Sequence, residues 1–199
     1  MRILQVTNFV SHLQLPIARS IASIVGEKNF RFAAMSKIDP NRLSLGWSDS
    51  DNYPWILKTY NNTQEMSEFH NWWDQSDVII CGERFFEKMI SRVLNKKICF
   101  YMSERWWKPP IGAARILHPK FFKMVLQFRK LAKNPKFHYL PKGPYASKDI
   151  DFLSNLKERK WKWGYFRDNL KFTKNLNNPK ALSKVLWVGR MLSWKRVDT

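Results

Sequence analysis

Glycine and cysteine are scarce in this sequence, with seven of the first and two of the second among 199 residues, and long apolar runs are missing altogether. Each scarcity removes a class of protein. Cys81 and Cys99 sit inside the apolar runs Val78-Ile79-Ile80-Cys81 and Ile98-Cys99-Phe100-Tyr101. Two such thiols with no framework spacing fit a reducing compartment, not a disulfide scaffold. No run approaches the roughly 18 apolar residues of a membrane-spanning helix. Asn8, His12, Gln14, Pro16 and Arg19 stand where a signal peptide needs an apolar core, so a cytoplasmic location is expected. The loop Asn8 to Gln14 after the first expected strand contains no glycine, which argues against the Gly-x-Gly-x-x-Gly fingerprint of a dinucleotide site. A phosphate-binding loop ending in Gly-Lys-Ser/Thr is also missing. His12, His70, His118 and His138 are dispersed without ligand spacing, so no metal and no bound cofactor are expected. Internal repeats and low-complexity tracts are absent.

Acidic residues run short in one half only. Residues 1 to 95 hold ten Lys and Arg against ten Asp and Glu, whereas residues 96 to 199 hold twenty-five against six and so carry the whole net charge of +19. Such asymmetry points to an anionic partner: nucleic acid, an acidic membrane surface or a phosphorylated substrate. Hydrophobic content of 44% and aromatic content of 15% supply a packed core, and exclude a disordered chain.

What is present alternates between strand and helix patterns. Arg2 to Thr7 reads as a strand, and Ile17, Ala18, Ile21, Ala22, Ile24 and Val25 recur at helical spacing from about Pro16 to a stop at Gly26. Phe30 to Met35 is the next strand. This β-loop-α-β opening is the signature of a parallel sheet wound by crossover helices. Residues 36 to 62 read as irregular apart from a short strand near Trp55 to Leu57. Further strands are expected at Asp77–Gly82, Lys97–Met102 and Phe137–Leu140, and helices at Glu65–Gln75, Glu83–Leu94, Phe121–Lys133 and Ser147–Leu156. Lys160 to Phe166 alternates Lys with aromatics at period two. The fold class expected is therefore α/β, a Rossmann-like parallel sheet with flanking helices over residues 1 to 166. An Asn-rich linker follows at 167 to 183, and a second unit opens at 184 to 199.

Several stretches bear on chemistry. Val185 to Val188 reads as a buried strand followed by Gly189, with Arg190 and Lys195 just past its carboxyl end, where open α/β sheets bind ligands. A guanidinium and an ammonium there suit a diphosphate. His12 lies in the loop after the first strand, either as a substrate contact or proton carrier or as a loop residue bonded to backbone. Ser103-Glu104-Arg105-Trp106-Trp107 follows a strand directly. Either Glu104 binds sugar hydroxyls and an indole stacks on a sugar, or Glu104 and Arg105 form a surface pair of little energetic weight. Asp49-Ser50-Asp51 and Asp149-Ile150-Asp151 lie in a polar loop and a helix, and read as structural carboxylates. Phe121 to Lys133 is either a core helix with snorkelling lysines or a basic face for anionic lipid.

Taken together, the strand-loop-helix from Ile3 to Val25 and the string Leu186-Trp187-Val188-Gly189-Arg190-Met191-Leu192-Ser193-Trp194-Lys195 resemble the family 4 glycosyltransferases of GT-B architecture. Ser103-Glu104-Arg105-Trp106 and Lys162-Trp163-Gly164-Tyr165-Phe166 are similar to a polysaccharide-assembly branch of that group. The resemblance implies two facing Rossmann-like domains, of which residues 1 to 166 are the acceptor half. It implies retaining transfer of a sugar from a nucleotide-diphosphate sugar to a glycan or lipid-linked acceptor, with no metal in the site. Arg190 and Lys195 would bind the donor diphosphate, and Asn8, His12, Glu104 and Arg105 would border the acceptor side. Many members carry a His where this chain has Ser103-Glu104, and the family's paired Glu motif would lie beyond Thr199, so the chain alone is expected to be inactive. The partners implied are a nucleotide sugar and the acceptor, and the basic second half adds an anionic membrane face as a further expected partner. The alternative is a basic nucleic-acid-binding or membrane-surface module without catalysis. No RNA- or DNA-binding signature accompanies the charge, so nucleic acid is not the expected partner.

Overall fold

Apolar runs with no polar face need cover on both sides, and the strands Ile3–Thr7 (β1) and Val78–Cys81 (β4) are buried at every position. A computed structural model describes residues 1–47, 53–108 and 111–166. It sets these strands side by side in a six-stranded sheet with Phe30–Ala34 (β2), Ile56–Lys58 (β3), Ile98–Ser103 (β5) and Phe137–Pro141 (β6). The spatial order is β3-β2-β1-β4-β5-β6 and every pairing is parallel. The expected Rossmann-like α/β fold is therefore what the described residues adopt. Chain order reverses between β1 and β4, which is where such sheets open a crevice at their carboxyl edge.

Helices cover both faces. On one, Leu15–Val25 (α1) buries Leu15, Ala18 and Ala22 against Ile3, Phe32 and Ile80, joined by Trp55. Between β2 and β3 lies a short helix, Pro40–Leu43 (α2), whose first turn is capped by Asp39 accepting from Asn41 N at 2.8 Å. On the other face, Thr63–Gln75 (α3), Phe86–Leu94 (α4) and Pro119–Ala132 (α5) pack Trp72, Trp73, Met89, Val125 and Phe128 against Leu4, Ile79 and Tyr101. After β6, Pro144–Asp151 (α6) adds Ile150 to the same cluster. The helix starts three residues earlier than its apolar pattern implies. Pro144 occupies the first turn, and Gly143 before it takes φ +94°, open to glycine at no steric cost. Similarly, α5 begins at Pro119 rather than Phe121, after a 3₁₀ turn at Gly112–Leu117 that periodicity does not reveal.

One buried cation closes the amino edge. Arg92, on α4 and 5% exposed, donates to Trp73 O and to Ser76 O at 2.6 Å, satisfying carbonyls at the end of α3. Its neighbours line a cleft of about 290 Å³ with His70, Trp73, Asp74 and Lys97. Because the cleft borders Trp73 and Arg92, Arg92→Met is expected to cost only about 2 kcal/mol. A melting-temperature drop of about 5 °C would match that figure for a domain of this size. No change would mean that the carbonyls were never buried.

Candidate functional site

Four loops meet at the carboxyl edge. The first follows β1. Thr7 Oγ1 donates to Phe9 O at 3.0 Å, and Ser11 O accepts from Gln14 N and Leu15 N at 2.8 and 3.0 Å, turning the chain into α1. Asn8 is exposed, but its carbonyl accepts from Ser36 N and Ser36 Oγ at 2.7 and 2.8 Å, which ties this loop to the one after β2. His12 is exposed and meets the Trp47 ring edge-on at 4.6 Å. Arg42, on α2, lies 4.8 Å above both Phe9 and Trp47. Thus the stretch read as irregular delivers a cation and an indole beside His12.

The loop after β5 is anchored from beneath. Asp149, on α6 and 4% exposed, accepts from Trp106 N and Trp107 N at 2.8 and 2.9 Å, while its carbonyl accepts from Trp107 Nε1 at 3.1 Å. Trp106 is 3% exposed and donates through Nε1 to Tyr101 OH and Ser103 Oγ at 3.1 and 3.2 Å. The expectation of an indole free to stack on a sugar is therefore corrected for Trp106. Trp106 is core, and Trp107 is half-buried against Phe121. The carboxylate pair Asp149 and Asp151 is also divided: Asp149 holds this loop, and Asp151 pairs with Lys160 at 2.6 Å.

Glu104 and Arg105 part ways. Arg105 turns to α6, 3.4 Å from Asp149 Oδ1 and 5.1 Å above the Tyr145 ring. Glu104 stays at the exposed rim, accepting from Lys108 Nζ at 2.7 Å and from Tyr165 OH. Lys108 first and Tyr165 second hold its carboxyl below the usual glutamate range. Burial, then the hydrogen bond to Glu104 and its charge, pushes the Tyr165 phenol up to about 12. Lys142, just past the end of β6, is pulled down by burial, against which Glu104 and Glu83 act.

Tyr165 arrives by a route that spacing alone does not reveal. Beyond α6 the chain runs parallel beside β6, where Tyr139 faces Lys160, and again at Lys142 and Trp163. Phe166 N then donates to Leu13 O at 2.9 Å. Residues 163 to 166 therefore span the carboxyl edge from β6 to the loop after β1, and bring Glu104 and His12 into one rim. The only forewarning is the Lys-aromatic alternation of 160 to 166.

Because the depressed carboxyl favours the folded state only while ionised, its contribution is present above the unfolded glutamate pKa of about 4.3 and fades as pH falls through the lower folded value. With Glu104 and Lys108 both half exposed, Glu104→Gln is expected to cost about 0.5 kcal/mol at neutral pH. The gap should close in acid, as read by urea denaturation at several pH values.

Among the described residues no group of three or more His, Cys, Asp or Glu could hold a metal ion, and no helix is long and apolar enough to cross a membrane. Asp49 and Asp51, the linker at 167 to 183, and Arg190 and Lys195 lie outside the described residues. The fold and rim define a Rossmann-like α/β domain with a carboxylate-phenol-ammonium cluster at its carboxyl edge. No family model, curated protein or solved structure matches the chain.

Proposed function

We propose that the chain belongs to a sugar-transferring enzyme of GT-B type, with the described domain as its acceptor half. The observation that carries this reading is Glu104, an ionised carboxylate beside the 52%-exposed ring of Tyr165 at the carboxyl edge of a doubly wound sheet. A carboxylate accepts from vicinal sugar hydroxyls, and a phenol ring offers a flat face to sugar C–H groups. His12, Asn8, Arg42 and Lys142 complete a rim able to contact a polar, partly anionic glycan. Arg190 and Lys195 are the proposed ligands of the donor diphosphate. As the glycosidic bond breaks, charge grows on that leaving group, and preorganised cations lower the barrier. Glu104 and Tyr165 do not take part in bond breaking in this scheme. Their role is to hold the acceptor hydroxyl in position.

Binding is the direct test. Saturation-transfer difference NMR on the 199-residue chain, against oligosaccharides and phosphorylated glycolipid head groups, should give contacts with one glycan class. Loss of a charge-assisted hydrogen bond in Glu104→Ala should weaken them about tenfold with the melting temperature almost unchanged. Absence of contacts across the panel, or contacts undiminished in Glu104→Ala, would overturn the reading.

A further inference from the structure

We infer that the 3₁₀ turn at Gly112–Leu117 and the outer face of α5 form a docking surface for an anionic lipid bilayer. Exposed large hydrophobic residues are normal when scattered, but these are not. Ile111 is 61% exposed, Ile116 36%, Leu117 83%, Phe122 50% and Leu126 50%, all within sixteen consecutive positions. Those five are more than a third of the fourteen such residues found among the described residues. The 3₁₀ turn packs on α5, so they share one side of the molecule. On the helix, Phe122, Leu126, Arg129 and Lys133 follow i, i+4, i+7 and i+11, one stripe pointing away from buried Phe121, Val125 and Phe128.

Charge selects the occupant. From Lys108 to Lys133 the sequence has seven basic residues and no acidic one. Arg115 folds inward, donating to Trp106 O at 2.8 Å and lying 4.8 Å over the Phe121 ring. Lys123 is held 2.9 Å from Glu87. Lys120, Arg129, Lys130 and Lys133 are exposed around the apolar stripe. Aliphatic tips ringed by cations match the boundary between acyl chains and anionic head groups. A nucleic-acid surface interleaves its cations with stacking rings, whereas of these five apolar residues Phe122 alone offers a ring and Ile111, Ile116, Leu117 and Leu126 offer a base no such face. Arg115 ties the turn to Trp106, in the loop that carries Glu104, so docking sets the Glu104 rim close to the bilayer. That a lipid-linked acceptor is the reason rests on the sugar-transfer reading. The docking itself does not.

Because Cys81 and Cys99 are buried, a surface cysteine can be labelled singly. The full chain carrying Leu117→Cys with an environment-sensitive fluorophore should blue-shift on phosphatidylcholine vesicles containing phosphatidylserine. The same label at Ile24→Cys, 82% exposed on α1 across the sheet, should not shift. Flotation should fall about tenfold or more in Leu117→Asp/Phe122→Asp. A similar fall in Lys120→Glu/Lys130→Glu should appear only with anionic lipid. Failure of the wild-type chain to float with anionic vesicles would overturn the inference. So would equal shifts at both labels, or equal flotation of the Asp variant. Steeply salt-dependent capture by single-stranded RNA that lipid does not displace would overturn it in favour of a nucleic-acid surface. None of these outcomes touches glycan binding at Glu104, so the two readings fail separately.

Discussion

Trp106→Ala is expected to lower the unfolding free energy by about 4 kcal/mol, the middle of the range for removing a large buried aromatic. Trp106 is 3% exposed, and its ring meets Phe121 at 5.7 Å and Phe128 at 5.2 Å, both edge-on. These rings belong to α5, and Tyr101 on β5 lies 6.3 Å away, so the indole joins a helix to the sheet. Truncation leaves a void that a helix and a strand cannot both close. The polar part of the loss is smaller. Ser103 Oγ and Tyr139 OH are 2.9 Å apart and keep one another as partners after Nε1 is gone. Trp106→Phe, which retains most of the packing, should cost only about 1 to 2 kcal/mol. Urea titration gives both values. For a domain of this size the Ala variant should melt about 10 °C lower. A loss under about 1 kcal/mol for Ala would show that the indole does not join α5 to the sheet.

Trp106 also marks where the sequence stops being legible. The strands β1 and β4 declare themselves because both their faces are covered, so composition alone identifies them. The helix α1 declares itself through spacing, with a glycine just past its end. In Ser103 to Trp107, by contrast, two charges beside two indoles give no local sign of which are buried. That decision is made by Asp149, more than forty positions away, and by the rings of α5. Tyr165 is a stronger case. Its alternating neighbourhood hints at an extended segment, but its place over Glu104 depends on a hydrogen bond between Phe166 and Leu13, at opposite ends of the domain. Arg42 and Trp47 reach the rim from a stretch rich in loop-forming residues, where periodicity carries no information. Carboxyl-edge placement of Glu104 and His12 was readable because strand ends fix it. Which side chains converge there was not.

Asp149→Ala should be as costly as losing the indole, for a different reason. The carboxylate is 4% exposed and accepts two backbone N–H groups, from Trp106 and Trp107. Removing it leaves the buried Trp106 donor and the part-buried Trp107 donor without an acceptor, at about 1 to 3 kcal/mol each, and deprives Arg105 of a partner. About 4 kcal/mol is expected in total. Asp149→Asn keeps one acceptor oxygen and should lose about half as much. Hydrogen exchange reports on the mechanism, since the Trp106 and Trp107 amides should lose protection while those of β1 and β4 keep theirs relative to the new global stability. Protection unchanged at both amides would exclude the carboxylate as their anchor. Coupling gives a second check. Trp106 and Asp149 hold the same loop, so the double variant should lose about 5 to 6 kcal/mol rather than the sum of the two. The same loop sets where Glu104 points. If the rim binds glycan, Asp149→Asn should weaken that binding at temperatures where the domain is still folded, although Asp149 itself is buried beneath the surface that the glycan would touch.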